Sequence, residues 1–136
     1  MATPGAEAMA VRETEVLAAN AAFYAAMRRG DRGAMAALWS VRFEVSCTHP
    51  GGPTLTGRAA VIGSWDAVLA ESPGPEIRVS GPVAVVSGRT ALVLCEERIA
   101  GARLIAVNAF MLEDEAGDGG APGGWRMIGH HAADPI

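Results

Sequence analysis

Residues 91–113, ALVLCEERIAGARLIAVNAFMLE, decide the fold. Two runs rich in Val, Leu and Ile flank Ala100-Gly101, and each has the length and residue types of a strand. Ala91 to Ile99 reads as one strand and Leu104 to Glu113 as the next. Both faces of this pair are apolar. Val93, Ile105, Val107 and Met111 are expected on one face, opposite Leu94, Phe110 and Leu112. An antiparallel sheet with two apolar faces needs two covers, helices on one side and a second subunit on the other.

On the C-terminal side, 114–124 is a Gly- and acid-rich hairpin loop, and Trp125 to Ala132 forms the last strand. On the N-terminal side, Ile77 to Val79 begins a strand that continues through Pro82–Val86 past a bend at Gly81. Before it come helices. Val16, Ala19, Phe23 and Met27 recur at three- and four-residue steps within Val11–Arg29, which predicts an apolar stripe. Gly30 stops that helix and Asp31 caps the next, a short one over Arg32–Ser40 that buries Met35, Leu38 and Trp39. Phe43, Val45 and Cys47 then alternate with Glu44, Ser46 and Thr48, a strand period. His49-Pro50-Gly51-Gly52-Pro53 forces a turn. A third helix, Arg58–Ala70, buries Val61, Trp65, Val68 and Leu69. Helices at the front and strands behind argue an α+β domain of about three N-terminal helices packed on an antiparallel sheet. Residues 1–10 are expected to be a flexible N-terminus and 11–136 a single domain.

The chain has 136 residues and a formal net charge of −4, with 19% charged and 50% hydrophobic residues. An acidic domain whose cations are mostly isolated does not suit a phosphate backbone, so no nucleic-acid partner is expected. No apolar run approaches the roughly 20 residues that cross a membrane, and no basic-then-apolar leader is apparent. A cytoplasmic protein without a membrane partner follows by default. Cys47 and Cys95 lack CxxC spacing and read as buried thiols. His49, His130 and His131 lack helical i, i+4 ligand spacing, and GGAPGG at 119–124 lacks the ending of a phosphate loop. No metal and no cofactor is expected.

Several segments together carry a resemblance. FYAAMRRGDRGAMAALWS (23–40), VSCTHPGGPTLTGRAAVIGSW (45–65), AVNAFMLEDE (106–115) and GGWRMIGHHAADPI (123–136) resemble the nuclear transport factor 2-like superfamily, and within it the SnoaL-like subgroup. The resemblance runs from about residue 12 to the end. It implies a cone-shaped fold in which a curved antiparallel sheet wraps the helices and a pocket opens between them. Relatives of that fold include ketosteroid isomerase, scytalone dehydratase, polyketide cyclases and the association domain of a calmodulin-dependent kinase. Where relatives often end in three successive histidines, this chain has Gly129 at the first position.

The candidate chemistry rests on a few polar residues. Glu96 continues the parity of Leu92 and Leu94 and is expected either to cap the core or to stand in the pocket as a base, with Glu97 toward solvent. Asn108 interrupts an apolar strand and is expected to orient a ligand oxygen or to satisfy a buried neighbour. His130 and His131 point to opposite faces, so one of them faces the pocket; parity groups Met127 and Gly129 with His131, and Ile128 with His130. His49, at a strand end before a Pro-Gly-Gly loop, is expected either to point into a cavity mouth or to pin the loop by a hydrogen bond. Phe23, Met27, Leu38 and Trp65 are expected to form apolar walls. Together these predict an acid–base isomerase, dehydratase or cyclase acting on a small apolar carbonyl compound. The alternative is a non-catalytic ligand-binding or dimeric assembly module. A homodimer is expected on either reading.

Overall fold

The computed structural model describes residues 3–70, 74–113 and 124–135. The first helix, α1 (Pro4–Arg29), starts seven residues before the expected Val11, because Thr3 supplies an N-cap that accepts from the Ala6 amide at 3.1 Å. It ends where Gly30 takes φ 65° and donates its amide to the Met27 carbonyl at 3.1 Å. Asp31 caps α2 (Arg32–Leu38), accepting from the Ala34 amide at 3.0 Å. Strand β1 (Ser46–Thr48) is shorter than the alternation predicted and pairs with β2 (Thr54–Thr56) across the Pro-Gly turn. Helix α3 (Arg58–Val68) follows, then β3 (Ile77–Ser87), β4 (Thr90–Ile99), β5 (Ala102–Leu112) and β6 (Trp125–Ala133). The described part of the expected 114–124 loop is Gly124; the rest lies outside the described residues.

The six strands form one sheet in the order β2-β1-β6-β5-β4-β3. It is mixed rather than wholly antiparallel, because β1 runs parallel to β6, with Cys47 opposite His130. The short β1–β2 hairpin has no room to cover a face and instead extends the sheet beyond β6. α1 packs on β3, β4 and β6, and α3 packs on β1 and β2. These helices cover one face only. Val16, Phe23, Trp65, Val93, Ala106, Phe110 and Met127 are each at most 2% exposed in the core between them. None of the described helices is long and apolar enough to cross a membrane.

Two expectations about faces are overturned. Val93 lies inside with Phe110 and Leu112, whereas Leu94 lies outside with Ile105, because in the register Val93 faces Asn108 and Leu94 faces Val107. Both parities of β4 are apolar, so hydropathy alone does not choose between them. The second correction concerns β6. The ladder skips from Ala109–Gly129 to Phe110–Met127, leaving Ile128 as a bulge. That extra residue puts Met127 on the inner face with His130, not on the outer face with His131.

The outer face stays apolar and uncovered within the chain. Val83, Val85, Leu92, Leu94 and Ile105 are 39–58% exposed there.

Candidate functional site

The inner face of the sheet carries a hydrogen-bonded row of polar groups. Asn108 is 0% exposed and His130 2%. Their strands pair at these two positions, which aims both side chains at the helices. Asn108 Nδ2 donates to Asn20 Oδ1 at 2.8 Å and to the Tyr24 hydroxyl at 3.0 Å. With its amide nitrogen so engaged, Asn108 turns Oδ1 to His130, and His130 Nδ1 donates to it at 2.6 Å. His130 is therefore protonated at Nδ1, and Nε2 keeps its lone pair on the far edge of the ring. The Tyr24 hydroxyl donates in turn to Glu97 and lies 3.4 Å from Cys95 Sγ.

Asn20 and Tyr24 come from one face of α1, four residues apart, the helical spacing that lets both reach the same strand residue. Sequence pattern does not single them out, since an Asn and a Tyr on an Ala-rich stripe read as ordinary core. Glu97, expected toward solvent, is 1% exposed and inside the core. Glu96 is the outward residue. It sits at the rim in ion pairs with Arg103 at 2.8 Å and Arg98 at 3.3 Å. The Arg103 hydrogen bond, with the charges of Arg103 and Arg98, holds its carboxyl below the usual value. Glu96 therefore does not join Asn108 and His130. The same face choice that misplaced Leu94 misplaced the two glutamates. Burial pushes the Glu97 carboxyl up, partly offset by the Tyr24 bond.

Aromatic rings close over His130. Phe23 lies 5.0 Å and Trp65 5.6 Å from it between ring centroids, and His49 lies 6.4 Å away. His49 itself stacks edge-on against Trp65 at 4.7 Å. Ser64 donates its hydroxyl proton to the Val61 carbonyl at 2.7 Å, so it accepts from His49 Nε2 at 2.9 Å. That fixes the second imidazole as well. The Cys47 thiol lies 3.6 Å from the same nitrogen, and burial pushes it up to about 12. The Trp65 indole N–H is buried and has no hydrogen-bond partner among the described residues. Met27 and Leu38 are core residues, 3% and 6% exposed.

Both imidazoles are neutral. Burial lowers His130 to about 3, with smaller contributions from the neighbouring His49 and His131. Burial also lowers His49, which is half-buried at the end of β1. His131 faces the other way. Its Nδ1 meets Thr48 Oγ1 at 2.8 Å and its Nε2 meets Ser46 Oγ at 3.1 Å, which ties β1 to β6. Among the described residues no group of three His, Cys, Asp or Glu is placed to hold a metal ion.

The sequence profile of the SnoaL-like domain matches residues 16–136. The chain belongs to the SnoaL-like domain family. The fold agrees with solved members of the nuclear transport factor 2-like superfamily. A candidate dehydratase of that superfamily from Streptomyces avermitilis is 31% identical, with 93% of this chain and 97% of that one covered and a TM-score of 0.78. A candidate calcium/calmodulin-dependent protein kinase type II association domain from Thiobacillus denitrificans is 26% identical over 87% of this SnoaL-like chain and 93% of its own, with a TM-score of 0.71. The kinase hub of S. rosetta shares the fold at 18% identity and a TM-score of 0.68, with 97% of each chain covered. No curated protein matches the sequence.

Proposed function

We propose that this SnoaL-like protein is an acid–base enzyme that moves a proton at the carbon beside a carbonyl in a small, largely apolar compound, as an isomerase, dehydratase or cyclase does. The observation that carries this reading is the pair of imidazoles, each held in one tautomer by its hydrogen bond, that both pack against the Trp65 ring, whose buried N–H has no partner among the described residues. Such a set can offer a lone pair to a proton and an N–H to the oxygen that gains charge when the proton leaves. His130 stays unprotonated across the physiological range and meets the substrate through Nε2. His49 is less buried and exchanges its proton with solvent more readily. Phe23 and Trp65 supply the apolar wall. His49 is half-buried, which supports the edge of β1 as the way in. The candidate dehydratase of Streptomyces avermitilis, similar over nearly the whole chain, supports this class of reaction.

Proton exchange is the test. Small β-hydroxy ketones and enones in deuterated water should exchange the proton beside the carbonyl faster with the protein than without it, and saturably. His49→Ala and His130→Asn should each slow that exchange at least tenfold. A wild-type protein that neither accelerates exchange nor binds any member of such a panel sinks the reading.

A second proposal concerns assembly. The exposed apolar outer face supports a homodimer that pairs sheet on sheet. A standard interface buries about 1,600 Å² in total, and five large aliphatic side chains on one face suit that role. The edge strand β3 carries a bulge between Ser80 and Val83, with Pro82 inside it, which disfavours edge-to-edge growth of the sheet. Sedimentation showing a monomer at high micromolar concentration would remove this proposal.

A further inference from the structure

The row Glu97–Tyr24–Asn108–His130 has two self-consistent hydrogen-bond settings, and each member of the row has limited freedom. The Tyr24 hydroxyl carries one proton. The Asn108 amide has one accepting end and one donating end. A neutral His130 carries one ring proton. In the observed setting the Tyr24 proton points to Glu97, the Asn108 N–H points back to Tyr24, and its carbonyl accepts from His130 Nδ1. Nε2 is then bare.

The other setting begins with a proton on the Glu97 carboxyl. That proton is donated to the Tyr24 oxygen. Tyr24 turns its own proton to Asn108 Oδ1, and the amide rotates by half a turn. Its N–H now faces His130 Nδ1, so the ring loses that proton to solvent water and takes one from solvent water at Nε2 when the site opens locally. The row as a whole gains one proton, the one on Glu97. Asn20 rotates with Asn108, so that its N–H meets the relocated carbonyl. An amide does not pass a proton along, so the row conducts orientation and not protons.

We propose that the charge on Glu97 sets which ring nitrogen of His130 carries the proton, and so whether the site presents a lone pair or an N–H at Nε2. Glu97 and Tyr24 are positioning residues in this scheme; neither meets the substrate. The use of the switch in catalysis rests on the acid–base reading above, with the lone-pair setting abstracting a proton and the N–H setting holding an oxygen. The switch itself is independent of any substrate.

The surroundings favour control by this carboxyl. Glu97 has Tyr24 as its hydrogen-bond partner and no ion-pair partner among the described residues. Its cross-strand neighbours are Val79 on β3 and Leu104 on β5, both apolar. The other titratable groups beside it are Tyr24 on α1 and Cys95 on its own strand, and burial raises both. Around His130 the titratable groups are His49, His131 and, opposite it across the β1–β6 pairing, Cys47, whose thiol burial raises.

The test is nitrogen NMR of the full chain labelled at histidine, which distinguishes the two neutral tautomers by their ring shifts. Spectra run from about pH 9 down to about pH 4, with the glutamate carboxyls followed by carbon NMR. In the wild type the Nδ1–H form of His130 should dominate at high pH and yield to the Nε2–H form as Glu97 takes up its proton. In Tyr24→Phe, Glu97 should still titrate while the His130 tautomer no longer follows. Glu97→Leu should give a ratio that no longer varies with pH. It should also differ from the high-pH wild type by at least about tenfold, the factor one charge-assisted hydrogen bond carries. A wild-type His130 that keeps one tautomer while Glu97 titrates overturns the proposal, and so does a Tyr24→Phe protein that still switches. If Glu97 holds one charge over the whole range, Glu97→Leu decides alone, and an unchanged ratio overturns the proposal. If Tyr24→Phe does not fold, the wild-type titration decides. Absence of turnover on the carbonyl panel, with the switch intact, would count against the acid–base reading only.

Discussion

Replacing Asn108 by leucine is the sharpest probe of the polar row. The two side chains are similar in size, so the change removes hydrogen bonds with little change in packing. Three bonds are lost, to Asn20 at 2.8 Å, Tyr24 at 3.0 Å and His130 at 2.6 Å. Tyr24 keeps its bond to Glu97 and loses little. Asn20 Oδ1 and His130 Nδ1 are left buried without partners, and each such group costs about 1–3 kcal/mol. Leucine recovers about 1–2 kcal/mol by burying apolar surface. At the middle of both ranges a net loss of about 2.5 kcal/mol follows, with about 5 kcal/mol as the upper limit, which a domain of ordinary stability, about 5–15 kcal/mol, generally survives. Urea unfolding followed through the buried Trp39, Trp65 and Trp125 measures it. With a slope of about 2 kcal/mol per molar, the midpoint should fall by roughly 1.2 M at unchanged slope. An unchanged or raised midpoint would refute the reasoning. It would mean that Asn108 is not satisfying its neighbours and is held in the core for a ligand.

Three further outcomes are expected. Because His130 is lowered to about 3 in the folded chain and returns to about 6.5 when unfolded, the unfolded chain alone binds that proton between those values. Stability should thus fall on acidification below about pH 6.5, by at most about 1.4 kcal/mol per pH unit. Glu97 is raised and contributes the opposite slope, so His130→Gln should flatten the acid limb of a pH series of urea midpoints, and Glu97→Gln should steepen it. Gly74→Ala would place a Cβ 1.8 Å from the Met27 carbonyl oxygen, a backbone atom that cannot step aside. It should cost about 3 kcal/mol or more and lower the melting temperature by roughly 10 °C. Leu94→Glu on the outer face should convert a dimer to a monomer in sedimentation while leaving the His130 ring shifts where they were.

Much of the architecture is legible in the sequence. The Gly30-Asp31 junction, the Trp65 stripe and the strand runs around 91–113 each obey a local rule, and those rules survive folding. What the sequence does not reveal is which way each strand faces. In β4 the residues Leu92, Val93, Leu94 and Cys95 are all apolar, so the parity that decides between Glu96 and Glu97 is set by packing against α1. The Ile128 bulge likewise changes the parity of Met127 through an insertion that no residue type announces. That Asn108 needs a buried partner is readable, because a polar residue inside an apolar strand demands one, but which of His130 and His131 supplies it is not, because the pattern of β6 leaves both parities open. Asn20 and Tyr24 are not readable, because their helix is apolar enough without them.

The parallel pairing of β1 with β6 also bears on how the molecule comes together. Cys47 meets His130 only after the intervening chain, including α3 and β3 to β5, has been brought into place. Contacts so distant in sequence are entropically costly to close and slow the search for the native state. The β3–β4–β5 meander has only near-neighbour pairings and is free to form early. The two histidines thus belong to parts that meet late, and a nascent or partly refolded chain would carry most of its sheet before it carried its site. Stopped-flow refolding should show strand signal gained ahead of the quenching of Trp65, which packs against both imidazoles.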